Sequence, residues 1–223
     1  MDRRAQLVRR LPDALRLYVL TDRRLARGRD EARIVAEAIA GGATAIQLRW
    51  KTGPLSEALR VGREVQAVCR AAGVPFIVND RVDLALVLEA DGVHVGVDDL
   101  PVAATRALVG ARMIVGYSPP TLEAALAAER EGADYLGVGP IYGTGTKADA
   151  GAPVGVEHLA RIVQAVRIPV VGIGGITAAN AGPVVAAGAV GVAVISAVVA
   201  ADDVAAAARA IRAAVDAARE HRA

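Results

Sequence analysis

The sequence has few aromatic residues and a single cysteine, and these two shortages limit the kind of core and the covalent cross-links that it can form. Aromatic side chains make up 3% of the 223 residues, so we expect a core of valine, isoleucine, leucine and alanine. Cys69 stands alone, which excludes an intramolecular disulfide and fits a reducing, cytoplasmic setting. No basic cluster interleaves with aromatic residues and the formal net charge is only +2, so we expect no nucleic-acid partner.

Long hydrophobic runs are also missing, although 54% of the residues are hydrophobic. A membrane-spanning helix needs ~18 or more consecutive apolar residues, and charged residues or glycines interrupt every run before that length. The N-terminus has no apolar stretch directly after its basic residues, so a secretory signal is not expected. The sequence therefore predicts a cytoplasmic protein with no membrane partner.

Lysine is rare among the charged residues. Lys51 and Lys147 are the two lysines among 26 basic residues, and arginine supplies the rest. A lysine kept against such a bias can serve for its compact, point-like ammonium, although chance could also leave two lysines on a surface. Both follow predicted strands, which favours a role in a site.

The chain is a repeated alternation of short apolar runs and longer stretches of helical period. We predict strands at residues 15–20, 45–48, 76–78, 92–95, 113–116, 135–138, 170–173 and 192–195. We predict helices at residues 30–40, 55–72, 82–89, 102–108, 122–131, 156–166, 178–187 and 202–218. Strands that are continuously apolar are typical of a parallel sheet covered by helices, which places the chain in the α/β class.

Eight such units close naturally into a (β/α)8 TIM barrel. The alternative is a doubly wound open sheet, but that fold usually has fewer strands and a glycine-rich turn after the first one. Here Thr21-Asp22-Arg23-Arg24 follows the first strand, with no glycine cluster. We predict one barrel domain over residues 1–223, with an arginine-rich N-terminal extension at 1–14 that forms a short helix or a loose tail.

In a barrel of this type the chemistry lies at the C-terminal ends of the strands. After the second strand, alternation directs Gln47, Arg49 and Lys51 to one side and Trp50 to the other. Two cations and an amide donor suit a strongly anionic group, a pyrophosphate more than a lone carboxylate. The alternative is an ordinary surface pair of basic residues in a loop.

Carboxylates follow the third and fourth strands. Asp80, with Asn79 beside it as a partner for substrate, and Asp99 lie on neighbouring strands, so both carboxylates could share one Mg²⁺ ion. Helix capping is the alternative for each carboxylate, and either Asp98 or Asp99 could cap the helix that Pro101 starts. His94 is interpreted as a packed strand histidine.

A second anion site is predicted from the remaining strand ends. The loop after the sixth strand contributes glycines, hydroxyls and a lysine; the glycines after the seventh strand let backbone amides approach an anion closely. The loops after strands seven and eight often form a phosphate site in barrels. Gly175, Ile195 and Ser196 belong to this second site, and the loop with Thr144, Thr146 and Lys147 lies between the two sites. After the fifth strand, Ser118 offers a hydroxyl donor, with an ordinary turn as the alternative.

Together these segments resemble the thiamine-phosphate synthase family. The matching segments fall in order over about four fifths of the chain: 47–51, 79–81, 92–101, Ser118, 137–147, 172–176 and 194–196. The resemblance implies a Mg²⁺-dependent transferase that condenses hydroxymethylpyrimidine diphosphate with a thiazole phosphate and releases pyrophosphate. It also implies a dissociative mechanism, through a pyrimidine carbocation that the thiazole nitrogen captures.

The resemblance assigns roles to individual residues. The pyrimidine diphosphate would be held by Gln47, Arg49, Lys51, Asn79, Ser118 and Lys147. Mg²⁺ would be held by Asp80 and Asp99, and the thiazole phosphate by Thr144, Thr146, Gly175, Ile195 and Ser196. The candidate catalytic residues are Arg49, Lys51, Ser118 and Lys147.

The chain departs from the family pattern at two places. Trp50 stands where the family usually has an acidic residue, and Pro119-Pro120 stand where a Thr-His or similar pair is usual. The alternatives are a thiazole tautomerase of the same superfamily, a Schiff-base aldolase that uses Lys51 or Lys147, and a non-catalytic phosphate-binding barrel. The tautomerase is disfavoured because it relies on a histidine in the loop where Ser118 is followed by two prolines. The sequence leaves the oligomeric state open.

Overall fold

The computed structural model of the chain describes residues 3–146 and 151–222, where eight parallel strands close into a barrel. The strands are β1 (Leu17–Leu20), β2 (Ala45–Leu48), β3 (Phe76–Asn79), β4 (Gly92–Val95), β5 (Ile114–Tyr117), β6 (Tyr135–Val138), β7 (Val170–Ile173) and β8 (Gly191–Val194). Strand β8 pairs in parallel with β1, with Tyr18 opposite Ala193. This closure confirms the (β/α)8 prediction and excludes the open sheet.

Helices alternate with the strands. They are α1 (Arg3–Ala14), α2 (Arg23–Ala26), α3 (Glu31–Ala40), α4 (Leu55–Ala72), α5 (Val82–Val87), α6 (Val102–Val109), α7 (Leu122–Arg130), α8 (Gly155–Ala165), α9 (Ala181–Ala186), α10 (Ser196–Val199) and α11 (Val204–Glu220). The sequence pattern indicated neither α2 nor α10, because four residues are too few to show a helical period. Helix α9 begins later than predicted because Thr177 and Asn180 form a turn, in which Asn180 Oδ1 accepts from the Thr177 amide at 2.7 Å.

The N-terminal extension is a helix that packs against the N-terminal end of the barrel. Leu11 of α1 is 1% exposed and belongs to the cluster of side chains that fills the barrel interior. Arg4 of the same helix bonds Asp134, the residue before β6, at 2.6 Å. In the described part of the chain, no helix is long and apolar enough to cross a membrane.

Alternation along the strands determines what faces the open end. Ala45 of β2 and Ile77 of β3 belong to the interior cluster. Continuing the two-residue period places Gln47, Arg49 and Asn79 on the same side, one step nearer the C-terminal ends. The apolar part of the strands therefore fills the interior, and their last residues deliver polar groups to one face.

Candidate active site at the C-terminal end of the barrel

The three polar residues at the end of β2 lie at successive depths and do not form one exposed cluster. Gln47 is 1% exposed, and its Nε2 donates to the hydroxyl of Tyr18 at 2.5 Å. Arg49 is 8% exposed. The side chain of Lys51 is 48% exposed. A single long substrate reaching down this face could contact all three, with its anionic group at Arg49 and Lys51.

Arg49 is held by Asp22, a residue to which the sequence alone assigned no role. Its Nη1 donates to Asp22 Oδ2 at 2.5 Å, while its backbone amide donates to Thr21 Oγ1 at 3.0 Å. The other Asp22 oxygen accepts from the amides of Arg24 and Leu25 and so caps α2. The position of an aspartate two residues after the first strand was the available signal for this role.

Three predicted binding residues carry buried polar atoms with no hydrogen-bond partner among the described residues. They are Gln47 Oε1, Arg49 Nε and Asn79 Nδ2, and the remaining atom of this kind is Glu31 Oε2. Buried polar groups in folded proteins are nearly always hydrogen-bonded. These atoms cluster at the ends of β2 and β3, where a ligand could form hydrogen bonds with them.

The two predicted metal ligands lie side by side. Asp80 adopts a left-handed backbone conformation, with φ of +61°, and its Oδ2 lies 2.5 Å from Lys51 Nζ. Burial raises the pKa of the Asp80 carboxyl; the Lys51 ammonium opposes this, and the neighbouring Asp99 carboxyl adds to it. Asp99 Oδ2 also accepts from the Gly96 amide at 2.7 Å. The two carboxylates form a negatively charged site that already attracts the Lys51 ammonium.

Helix capping does not explain these carboxylates. The N-cap residue of α5 is Arg81 and that of α6 is Pro101, and within the described chain neither helix start receives a side-chain capping bond. Among the residues that the structure describes, no group of three or more His, Cys, Asp or Glu side chains could hold a metal ion. Mg²⁺ commonly takes one or two protein carboxylates and completes its shell with water and phosphate oxygens, so Asp80 and Asp99 fit that ion as donors.

The opposite half of the barrel mouth forms a cavity of about 230 Å³. Predicted residues that line it are Ser118, Thr144, Thr146, Gly175, Ile195 and Ser196. The two prolines after Ser118 contribute to the same wall. The cavity thus lies over β5–β8, whereas the charged residues lie over β2–β4, which gives two adjacent halves to one site.

The loop after β6 reaches across to the loop after β8. Thr146 Oγ1 donates to Ser196 Oγ at 3.2 Å, and the Thr146 amide donates to Thr144 Oγ1 at 3.2 Å. Arg24 of α2 also donates to the Thr146 carbonyl at 3.1 Å. Lys147, predicted to act next to them, lies outside the described residues. The described end of the loop is therefore tied to both α2 and Ser196.

Glycine at position 175 is required by its backbone conformation and by crowding. Its φ is +66°, and a Cβ there would lie 2.6 Å from the carbonyl oxygen of Gly143. Asn180 Nδ2 donates to the Gly175 carbonyl at 3.0 Å and holds this turn. The glycine lets the loop after β7 and the loop after β6 touch at the cavity wall.

Trp50 faces away from the charged residues, as alternation predicts. It is 9% exposed and packs in the outer core, between the barrel and its helices. The guanidinium of Arg23 lies 5.1 Å from the centre of its ring. The departure from the family pattern at this position therefore lies on the side of the strand away from Arg49 and Lys51.

Comparison with known proteins finds relatives of one family. A family model described as thiamine monophosphate synthase matches residues 17–198. The chain is 54% identical to the thiamine-phosphate synthase of Moorella thermoacetica over 91% of this chain and 97% of the relative. It is 55% identical to the enzyme of the same name from Chloroflexus aurantiacus, over 92% and 94%. A solved structure of thiamine phosphate pyrophosphorylase from Pyrococcus furiosus superimposes with a TM-score of 0.86, at 44% identity, over 93% of this chain and 98% of that one.

Proposed function

The chain belongs to the thiamine monophosphate synthase family, and we propose that it joins hydroxymethylpyrimidine diphosphate to a thiazole phosphate at the barrel mouth, with release of pyrophosphate. The observation that carries the assignment of the site is the set of unpartnered buried atoms on Gln47, Arg49 and Asn79, beside the Asp80 and Asp99 carboxylates. Donors, acceptors and a cation site for a diphosphate thus lie together, next to a separate cavity for a second substrate.

The polar half of the site binds the diphosphate in this proposal. Arg49, Lys51 and Lys147 donate to its oxygens, and their positive charges favour the state in which negative charge grows on the leaving group. Asp80 and Asp99 would hold Mg²⁺, which would supply positive charge to neutralise the phosphates. Asn79 and Gln47 use their unpartnered atoms on the same substrate. When the diphosphate binds, Lys51 leaves its ion pair with Asp80 and donates to a phosphate oxygen instead.

The cavity half binds the thiazole phosphate. Thr144, Thr146 and Ser196 offer hydroxyl groups, and the backbone at Gly175 and Ile195 shapes the wall on which the phosphate rests. Holding the two substrates side by side turns a bimolecular step into an effectively unimolecular one. No side-chain nucleophile is used in this scheme.

The bond changes are simple. The C–O bond between the pyrimidine methylene and the diphosphate breaks, and its electron pair leaves with pyrophosphate. The methylene cation that remains is captured by the lone pair of the thiazole nitrogen, which forms the C–N bond of thiamine phosphate. Ser118 lies at the junction of the two halves, where its hydroxyl is able to orient the pyrimidine.

The test incubates the purified protein with both substrates and Mg²⁺ and measures thiamine phosphate by chromatography, with and without EDTA. Product that disappears with EDTA and returns with excess Mg²⁺ supports the reaction and the metal together. Product that persists in EDTA contradicts the metal site, and the absence of product from a folded protein contradicts the function.

A pair of variants tests the division into halves. Ser196→Ala is expected to raise KM for the thiazole phosphate about tenfold, the cost of one lost hydrogen bond to a charged group, with a smaller effect on KM for the diphosphate. Ser56→Ala, at an exposed position of α4, is the control. The opposite ranking of the two KM effects would mean that the two substrates bind the other way round.

A further inference from the structure

A continuous chain of hydrogen bonds crosses the barrel interior between two of the proposed substrate-binding residues. Gln47 Nε2 lies 2.5 Å from the Tyr18 hydroxyl, which lies 2.9 Å from the Tyr135 hydroxyl. The Tyr135 hydroxyl lies 2.9 Å from His94 Nδ1, and His94 Nε2 lies 2.8 Å from Ser118 Oγ. These hydrogen bonds therefore join β2 to Ser118, the residue after β5, through residues of β1, β6 and β4.

The inner members of this chain are shielded from water. Tyr18 is 1% exposed, Tyr135 is fully buried and His94 is 9% exposed. Burial raises the pKa of both tyrosine hydroxyls, so both stay protonated over the pH range of an assay. The rings of Tyr18 and Tyr135 meet edge to face with centroids 6.0 Å apart, which fixes them by packing as well as by hydrogen bonding.

A glycine makes room for the contact between His94 and Tyr135. A Cβ at Gly116 would lie 2.2 Å from Tyr135 Cζ and 2.4 Å from His94 Nδ1. Any other residue at this position would displace one of the two rings. The space in which the histidine meets the tyrosine is thus built into β5.

The direction of donation along these hydrogen bonds follows from the chemistry of the groups. The Gln47 amide nitrogen donates to the Tyr18 oxygen, so the Tyr18 proton points on to Tyr135, and the Tyr135 proton to His94 Nδ1. His94 Nδ1 then accepts, which places a ring proton on Nε2, and Nε2 donates to Ser118 Oγ. Ser118 keeps its own proton to give to a ligand in the cavity that it lines.

The two ends of the chain therefore present one acceptor and one donor. Gln47 Oε1 has no hydrogen-bond partner among the described residues, and the Ser118 hydroxyl faces the cavity. We propose that Tyr18, Tyr135 and His94 are positioning residues that orient the Gln47 carbonyl and the Ser118 hydroxyl toward the pyrimidine substrate. The proposal rests on the function proposed above and deepens it, because none of the three residues needs to touch the substrate.

Kinetics and calorimetry of one conservative variant test the proposal. Tyr135→Phe removes a single hydroxyl and breaks the chain in the middle. We expect Kd and KM for the pyrimidine diphosphate to rise about tenfold, as two binding groups lose their fixed orientation, while KM for the thiazole phosphate changes less than about twofold. Tyr117→Phe, on the same barrel but packed in the outer core, is the matched control and should change neither KM.

A double-mutant cycle separates positioning from general damage. If Tyr135 acts through Ser118, the Tyr135→Phe substitution should cost much less in a Ser118→Ala background than in the wild type. Equal costs in the two backgrounds would overturn the connection to Ser118. A Tyr135→Phe variant that binds the diphosphate as the wild type does would overturn the proposal as a whole.

The tautomer of His94 provides a readout that does not depend on activity. In ¹⁵N spectra of histidine-labelled protein, assigned with His94→Gln, the wild type should show His94 protonated on Nε2, and Tyr135→Phe should shift the Nδ1 signal. Protonation on Nδ1 in the wild type would overturn the direction of the chain. A wild type that binds the diphosphate but makes no thiamine phosphate would contradict the proposed function, while weaker binding by Tyr135→Phe would still support the positioning role.

Discussion

Asp22 and Arg49, 27 positions apart, form an ion pair of 2.5 Å at the ends of β1 and β2, with side chains only 2% and 7% exposed. One Asp22 oxygen holds Arg49 and the other caps α2 through the Arg24 and Leu25 amides. The same carboxylate thus fixes a candidate catalytic cation and the helix that follows β1. Removing one charge of a buried pair leaves the other uncompensated, which is far more costly than losing a surface pair.

We predict that Asp22→Asn loses about 3–5 kcal/mol of unfolding free energy and raises KM for the pyrimidine diphosphate. Asparagine is a good N-cap, so α2 keeps its cap and the loss reports the missing charge beside Arg49. Urea unfolding and steady-state kinetics measure the two effects.

The control for this prediction is Asp30→Asn. Asp30 also caps a helix, accepting from the Arg33 amide at 2.7 Å, but it is exposed and holds no buried cation. Its substitution should cost less than about 1 kcal/mol and leave KM unchanged. Equal losses in the two variants would show that the ion pair adds nothing beyond the cap.

A second prediction concerns the proposed metal site. Asp80 has a φ of +61°, a conformation that asparagine tolerates and alanine does not, so Asp80→Asn removes the charge without backbone strain. We expect Mg²⁺-dependent turnover to fall about 100-fold or more, with no loss of thermal stability, because burial and Asp99 already disfavour the Asp80 charge. Titration of turnover with Mg²⁺ and a melting curve measure both.

Asp83→Asn is the matched control for this metal-site variant. Asp83 lies in the first turn of α5 with its side chain 63% exposed, where it pairs with Arg81. Its substitution should leave the Mg²⁺ dependence as it is in the wild type. If both variants lost activity together, the loop as a whole and not the Asp80 carboxylate would be responsible.

The sequence predicted the barrel because its strands are short and continuously apolar, and each predicted strand begins and ends within two residues of the observed one. It also predicted which side of β2 is polar, since alternation is local: Gln47 and Arg49 point inward and Trp50 points outward. Gln47, Arg49 and Lys51 are successive two-residue steps along the chain toward the open end, but how exposed each one is depends on neighbouring strands and loops, which no local pattern encodes.

Partners from distant strands could not be predicted in the same way. His94 was interpreted correctly as a buried strand histidine, but its contacts with Tyr135 and Ser118 depend on the order of strands around the barrel. The ion pair between Asp22 and Arg49 could not be predicted for the same reason, because its two residues follow different strands. The assignment of individual residues to substrates, including Lys147, stays a prediction.

Two glycines with the same backbone conformation give a third prediction. Gly175 and Gly73 have φ of +66° and +67°, but a Cβ at Gly175 would meet the Gly143 oxygen at 2.6 Å, whereas one at Gly73 would have no described atom within 4 Å. Gly73→Ala should therefore cost only the conformational strain, about 1 kcal/mol, and leave both KM values unchanged.

Gly175→Ala should cost more than Gly73→Ala, because it adds a clash to the same strain, and it should raise KM for the thiazole phosphate by moving the cavity wall. Urea unfolding and kinetics of the two variants, compared side by side, measure the difference. A Gly175→Ala protein that matches Gly73→Ala in both stability and KM would contradict the requirement for close approach of the two loops.

The last prediction concerns Cys69, which is fully buried on α4. Burial raises the pKa of its thiol to about 12, and the charge of Asp91 adds to the effect. Since the thiolate is the reactive form, a raised pKa lowers reactivity: at pH 8 only about one thiol in ten thousand is ionised. We predict that a thiol reagent labels the native protein only through unfolding, and therefore far more slowly than it labels the urea-unfolded protein.

Ala72→Cys supplies the internal control for this labelling experiment. Position 72 is exposed near the end of the same helix, so the variant should show one fast thiol and one slow thiol in the same sample. Adding Mg²⁺ and pyrimidine diphosphate, which bind the folded state, should slow the second phase and leave the first unchanged. Two fast thiols would mean that α4 opens locally without global unfolding, because a buried thiol with so high a pKa cannot react from the closed structure.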